Sequence, residues 1–513
     1  MPVFDLRFLV QLILLHSLWI GQINTIAAKT NEQIVQSPTI EDALSQFKLE
    51  AAQQEIDRLS NSPIKAYYAT TLHSYQFLAT QDEVYLREIR KNWDDWLELA
   101  EHAPDSDPLK RVIIGEMYGK RAAAEFMSHN YLTAVRLARS GRNLIRKNAK
   151  RWPDQVDQRK SLGIINVMLG AVPQKYQWLT QLLGFSGNID RGLEQLQDAN
   201  NRGTLLKQES QILLWYVKRT MLNQTEELLE EIAFKRKKLK TPRNILTDYF
   251  EASAWLSLKN SDKALEILED RHVYLNDGSF FIPFWDLLLG KTYYFQNQHI
   301  LAQRYLATFL QAYQGQLFKN DATYRLGICL TIHGNYKAAL PLFKVVSNKK
   351  GNGFDQDEYA QFMAAKFLET PPSPLEIQIF RARNFFDGGY YPEAITLLSE
   401  IQNQFPNIPQ HKQQEIQYRL GRIYHSQGKI EEAKGAYQAC VRMPSTEETR
   451  YMQAYSCYYR GEIHREANEF DLARAAYKQA LDYDDYFYQS GLENRCKVAI
   501  QQLKPSQQAS RGR

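Results

Sequence analysis

Six times along the second half of the chain, a small residue is followed twelve positions later by an alanine, and four beyond that by a large apolar side chain. The pairs are Ala252 and Ala264, Gly290 and Ala302, Gly327 and Ala339, Ala382 and Ala394, Gly421 and Ala433, Gly461 and Ala473. The third members are Leu268, Leu306, Phe343, Leu398, Tyr437 and Tyr477. Residues four apart share one face of a helix, and small residues let two helices approach closely. Repetition of this pattern marks a stack of helical hairpins, each covering its neighbour's apolar face. The expected fold is therefore an all-α solenoid, and the expected function is recognition by a surface built through repetition.

At 513 residues the chain exceeds what one compact core usually holds, but an array grows by adding units and escapes that limit. Its 44% hydrophobic, 24% charged and 12% aromatic residues are those of a folded protein, not a disordered one. The net charge of +5, from 63 basic and 58 acidic residues, is small for this length and argues against a nucleic-acid partner.

The N-terminus carries an apolar run from Phe8 to Ile20, followed by Gly21 and the small residues Thr25, Ala27 and Ala28. This resembles a secretory signal peptide cleaved after Ala27 or Ala28. The run is shorter than the roughly 20 residues of a bilayer span. An uncleaved anchor and a buried first helix are the alternatives. The four cysteines, Cys329, Cys440, Cys457 and Cys496, form no CxxC pair. They read as small buried residues, with Cys440 and Cys457 placed to approach one another.

From residue 30 to about 150 the apolar spacing is helical, as in Tyr67, Leu72, Tyr75 and Leu78, then Trp93, Trp96 and Leu99. A hairpin is expected from Met117–Met127 and Tyr131–Ile145, with Ala122 and Ala134 twelve apart. Pro153 stops the next helix end, where Arg146, Lys147, Lys150 and Arg151 suit the helix dipole. Successive array units start 38, 37, 55, 39 and 40 residues apart. The long spacing contains Asn352, Gly353, a helix-like stretch from Glu358 to Leu368, and Pro371, Pro372 and Pro374. It reads as an inserted helix and turn. The expected organisation is a signal segment over 1–28, an N-terminal helical region over 29–245, a first repeat block over 246–350, the insertion over 351–374, a second block over 375–503 and a disordered tail over 504–513.

Leu420, Gly421, Tyr424, Ala433, Tyr437 and Pro444 in one unit, Gly461, Ala473, Tyr477 and Ala480 in the next, and Phe385, Ala394 and Pro406 before them resemble tetratricopeptide repeats. The stretch Pro173, Tyr176, Trp178, Leu179, Leu182, Leu183, Gly184, Phe185, Ser186, Gly187, Asp190, Arg191, Gly192 and Leu193 is similar to the signature preceding the repeats in the tetratricopeptide-39-like proteins. Those include membrane- and lipid-droplet-linked eukaryotic members and exported bacterial relatives. The resemblance spans roughly Gly163 to Leu503 and implies an all-helical adaptor with no catalytic residues to carry over. The signal segment aligns the chain with the exported, bacterial-type branch.

Chemistry-bearing motifs are sparse. Tyr176–Gly192 reads as an elbow in which Gly184 and Gly187 permit a tight turn and Asp190 caps the following helix. Its apolar residues offer a second reading as a membrane-touching segment. Gly187 directly after Ser186 breaks the nucleophile-elbow spacing. Lys235, Arg236, Lys237, Lys238, Lys240 and Arg243 follow Glu226, Glu227, Glu230 and Glu231, giving a helix with acids early, bases late and a Glu231–Lys235 pair. The ten histidines show no metal spacing, and Asp355, Asp357 and Glu358 do not follow calcium-loop order. Neither enzyme activity nor a cofactor or metal is expected.

In tetratricopeptide hairpins the first helix lines the concave groove, which here selects Lys291, Tyr294, Tyr324, Arg383, Phe386, Tyr418, Arg422, His425, Tyr458 and Arg465. Glu462 lies on the same face. Aromatics with arginines are interface-anchoring types, and the three arginines can meet carboxylates bidentately. The sequence thus points to a non-enzymatic, exported scaffold that binds a protein or peptide in its groove. A peripheral membrane or lipid-associated repeat protein is the alternative.

Overall fold

The computed structural model describes residues 40, 43–44, 47–170, 187–220, 222, 224–238, 244–274, 279–348, 355–405 and 407–503. The expected signal segment, the elbow residues from Pro173 to Ser186, Lys240, Arg243, Asn352, Gly353 and the C-terminal tail lie outside the described residues. Among the described residues there are 24 α-helices and no strand, so the fold is an all-α helical-repeat solenoid. No described helix is long and apolar enough to cross a membrane.

The N-terminal region comprises α1 (Leu49–Arg58), α2 (Pro63–Thr80), α3 (Glu83–Lys91), α4 (Trp93–Glu101), α5 (Lys110–Met127), α6 (Tyr131–Arg151), α7 (Gln158–Gly170), α8 (Ile189–Arg202), α9 (Lys207–Thr220) and α10 (Thr225–Lys238). Local chemistry starts and stops them. Ser62 caps α2 ahead of Pro63, Asp82 caps α3, and α6 ends on Lys150 and Arg151 before Pro153. The cap of α8 is Asn188, whose side chain accepts from the Arg191 backbone N–H; Asp190 stands inside the first turn instead. In α10 the acids lead and the bases trail, with Lys235 Nζ 3.5 Å from Glu231. Helices α5 and α6 form the expected hairpin and bury Ala122 and Ala134. Their tightest approach is elsewhere, between Gly115 and Gly141, where a Cβ on Gly141 would lie 2.8 Å from the Gly115 carbonyl oxygen. Gly163 of α7 and Gly192 of α8 repeat this arrangement, with corresponding distances of 2.8 and 2.7 Å.

The array follows as α11 (Ile245–Ser257), α12 (Ser261–Leu268), α13 (Ile282–Phe295), α14 (His299–Ala312), α15 (Lys319–Ile332) and α16 (Tyr336–Ser347), then the inserted α17 (Asp355–Glu369). The second block is α18 (Pro374–Gly388), α19 (Tyr391–Gln404), α20 (Gln410–Ser426), α21 (Ile430–Arg442), α22 (Arg450–Glu466), α23 (Phe470–Leu481) and α24 (Gln489–Gln502). Each sequence pair falls on the two helices of one hairpin, and all six third members are buried. A Cβ on Gly290, Gly327, Gly421 or Gly461 would fall 2.5–2.8 Å from the Leu306, Phe343, Tyr437 or Tyr477 side chain that fills the crossing. Pro374 opens α18 behind a Ser373–Glu376 capping box. All four cysteines are free and buried.

The insertion redirects the chain, and the second block folds back onto the first. Asn384 of α18 donates to Asn297 Oδ1 (3.0 Å), Asn297 donates to the Arg381 carbonyl (3.0 Å), and Gln296 donates to the Tyr390 hydroxyl (2.9 Å). Lys259, in the α11–α12 turn, pairs with Asp387. Gly389 makes the approach sterically feasible: its φ is +92°, and a Cβ there would overlap the Lys259 carbonyl. On the far side, Tyr359 and Phe362 of α17 pack on Phe487 at 5.5 and 5.1 Å between ring centres.

Two glycine replacements separate crossing from surface. Gly461→Ala should destabilise α22 and α23 by about 1–3 kcal/mol through overpacking. Gly435→Ala, where a Cβ meets nothing within 4 Å, should stabilise α21 by up to about 1 kcal/mol. Native-state hydrogen exchange of these helices reads both, and equal signs would contradict the packing. Gly389→Ala should loosen the contact between blocks, with faster exchange at the 258–262 and 386–390 turns; unchanged protection there would refute the fold-back contact.

Candidate functional site

The fold-back changes the setting of the ten groove candidates. Tyr294, Tyr324, Phe386, Tyr418, Arg422 and Tyr458 are buried, so they do not line an open groove. The first helices that carry them pack on one another, α13 on α15 and α18, α18 on α20, and α20 on α22. Lys291, Arg383, His425 and Arg465 keep partial exposure. The structure brings Arg383, Phe386, Tyr418 and Arg422 together near the α11–α12 turn. It places Lys291 on Asp321 (2.9 Å) at one side and Arg465 on Glu462 (2.9 Å) at the other. Tyr458 packs on the Tyr477 ring at 5.8 Å, and His425 lies against the Tyr437 and Tyr459 rings.

Arginines on aromatic rings dominate the interior. The Arg422 guanidinium lies 4.0 Å from the Tyr459 ring centre and 5.1 Å from that of Phe386. Its Nη1 donates to the Tyr418 hydroxyl at 3.3 Å. Lys259 stands 4.8 Å from the same Phe386 ring. Arg383 donates to the Tyr359 hydroxyl at 3.3 Å and has its Nε 3.7 Å from Asp387. Arg419 donates to Glu415 (3.1 Å) and to the Tyr451 hydroxyl (3.2 Å). Arg325 pairs with Asp321 at 2.9 Å and lies 5.0 Å from the Tyr294 ring centre. Such contacts strengthen where water is excluded.

Lys259, Arg325, Asp387, Arg419 and the tyrosines Tyr359, Tyr451 and Tyr459 were missed by a reading that took only the positions three before the small residue and one and four after it. The signal was present two positions before the small residue, where Arg325, Arg419 and Tyr459 recur. Lys259 and Asp387 carried none, since only the fold-back brings them together.

Burial opposes ionisation of Asp387, but Lys259 and Arg383 outweigh it and hold its carboxyl well below the usual range. Burial lowers the Lys259 ammonium despite Asp387, with Arg422 and Arg419 adding to the effect. Burial also lowers His425 to about 4, helped by Arg422. His299 falls to about 4 through burial, with His333 and Arg381 contributing. Among the described residues no group of three or more His, Cys, Asp or Glu side chains is placed to hold a metal ion.

Because both imidazoles have folded-state values below the ordinary 6.5, the unfolded chain binds more protons as pH falls from 6.5 to about 4. Stability should therefore decline on acidification through that window. Replacing His299 and His425 by Asn should flatten the dependence of urea-unfolding free energy on pH there. A variant as steep as the parent would contradict the assignment.

The sequence matches the family model of Iml2/Tetratricopeptide repeat protein 39 over residues 158–376, from the start of α7 to the first turn of α18. It matches the model of a single tetratricopeptide repeat over residues 414–446, the α20–α21 hairpin. No curated protein matches it. Among solved structures, a chain in the crystal structure of the APC/C hetero-tetramer Cut9-Hcn1 is 14% identical, with 86% of this chain and 85% of that one covered and a TM-score of 0.29. A monomeric mutant of IFIT1 with Gppp-AAAA is also 14% identical, with 85% and 94% covered and a TM-score of 0.29.

Proposed function

We propose that this chain, a tetratricopeptide-repeat protein resembling the Iml2/Tetratricopeptide repeat protein 39 family, is an adaptor that holds a segment of another protein along the rim of its interior. Tetratricopeptide arrays are typically non-catalytic and serve protein interaction, and the proposed role requires no bond-making step. The observation that carries it is the recurrence of partly exposed cations on three first helices, Lys291 on α13, Arg383 on α18 and Arg465 on α22, with the partly exposed imidazole of His425 on α20. Behind them lie buried tyrosines, the pairing of aromatic and arginine side chains that anchors protein interfaces. A segment combining acidic and apolar groups complements this rim. We place the mature chain outside the cytoplasm, in a periplasm or secretory pathway, on the strength of the Phe8–Ile20 run and Ala27 and Ala28.

The test is affinity recovery of a C-terminally tagged full chain after brief cross-linking, with mass spectrometry of its N-terminus and of co-purified species. A chain beginning near Ala28 or Lys29 with one stoichiometric protein supports both parts. The double variant Lys291→Ala, Arg465→Ala should then bind that protein about tenfold or more weakly. Undiminished binding would remove the rim assignment, and an intact Met1 would remove export. Recovery without any protein, together with flotation on liposomes, would favour lipid association instead.

A further inference from the structure

At one place in the array the described cations outnumber the described carboxylates they pair with. Four cations converge from three elements: Lys259 from the α11–α12 turn, Arg383 from α18, and Arg419 and Arg422 from α20. Lys259 and Arg422 share the Phe386 ring. Arg383 and Lys259 share Asp387, and Arg419 takes Glu415. Arg422 pairs with no carboxylate among the described residues; its partners are the Tyr418 hydroxyl and the Tyr459 and Phe386 rings. It is nevertheless only 8% exposed. The Nε of Arg419, 5% exposed, has no hydrogen-bond partner among the described residues. Among the described residues these four cations are therefore paired with two carboxylates, Asp387 and Glu415, in a setting where an unbalanced buried charge is expensive.

The place is buried but not sealed. The side chains of Arg383 and Asp387 keep 23% and 18% exposure, so solvent reaches the cluster. A phosphoryl group matches what is left over in charge. At neutral pH it carries about −1.5 to −2 charge and three acceptor oxygens, against a local surplus of about two positive charges, and arginine forks match its geometry. A single carboxylate would leave half the surplus unmatched.

We propose that the interior of the array is a binding site for a soluble, compact phosphate-bearing anion, held by Arg422 with Arg419, Arg383 and Lys259. The site needs no protein partner and uses neither Lys291 nor Arg465, so this proposal and the adaptor role can fail separately. A ligand there ties the second block to the first, because Lys259 belongs to one and the arginines to the other.

Isothermal titration of the full chain with inorganic pyrophosphate and with inositol hexakisphosphate tests it. Saturable 1:1 binding of either is expected, weakened about tenfold or more by Arg422→Gln, with loss of one strong charge-assisted contact. A second measurement avoids any folding defect of that variant: in the unmodified chain, the bound anion should protect Arg383 from phenylglyoxal, read by peptide mass spectrometry. Neither anion binding, or binding that leaves Arg383 unprotected, would overturn the proposal. Binding only to vesicles carrying phosphatidylinositol 4-phosphate would also overturn it, since a headgroup fixed in a bilayer cannot enter the interior.

Discussion

The approach of Gly389 to the backbone of Lys259 is the contact on which the character of this molecule depends. Without a side chain at 389, and with φ at +92°, the turn between α18 and α19 can lie directly on the turn between α11 and α12. That contact closes the second block over the first. It positions the Lys259–Asp387 pair and the Asn297–Asn384 hydrogen bond, and it turns what would be an open concave face into an interior. The inserted α17 supplies the change of direction, and Tyr359 and Phe362 fasten it to the last hairpin through Phe487.

The hairpins themselves rest on a different economy, which is local and therefore readable. A small residue on one helix faces a large one on the next, and each Gly–Phe or Gly–Tyr crossing is so close that a methyl group would collide with the ring. Local interactions of this kind leave a period in the sequence, which is why all six array hairpins and the Glu358–Leu368 helix were legible. The N-terminal hairpins use glycine against glycine, at Gly115–Gly141 and Gly163–Gly192. A spacing of twelve to an alanine finds the α5–α6 hairpin but not its point of closest approach.

The candidate site was legible in residue type and not in setting. Tyr418, Arg422, Phe386 and Arg383 were chosen as groove-lining residues of the first helices; the structure buries the first three and leaves Arg383 partly exposed. The covering of Phe386 was not foreseeable, because the Lys259 that lies on its ring is more than a hundred positions away. A repeat pattern specifies which face of each helix looks inward; it says nothing about how far the stack curls. The arginines two positions before the small residue show the remaining gap, since the positions chosen were three before it and one and four after it.

A comparison within the molecule shows that the charge surplus of the interior is not a general habit of this chain. The N-terminal region contains its own buried ionic cluster, joining α2, α5, α7 and α9. Glu209 accepts from the Tyr67 and Tyr75 hydroxyls (3.2 and 3.0 Å) and from Lys120 (2.9 Å). Lys160 bridges Glu209 to Glu116, which also accepts from Ser161. Two lysines meet two glutamates, and hydroxyl groups complete the shell, Tyr67 and Tyr75 on Glu209 and Ser161 on Glu116. That balance is what burial of charge demands when an ion cluster serves only to fix helices together. The array interior draws on the same residue types, tyrosine and cations, yet it leaves Arg422 facing rings and a hydroxyl. A cluster built for cohesion alone would gain from a third carboxylate or from an apolar side chain at 422. An arginine held there, near a partly exposed Arg383, is the arrangement of a site that expects its negative charge from outside.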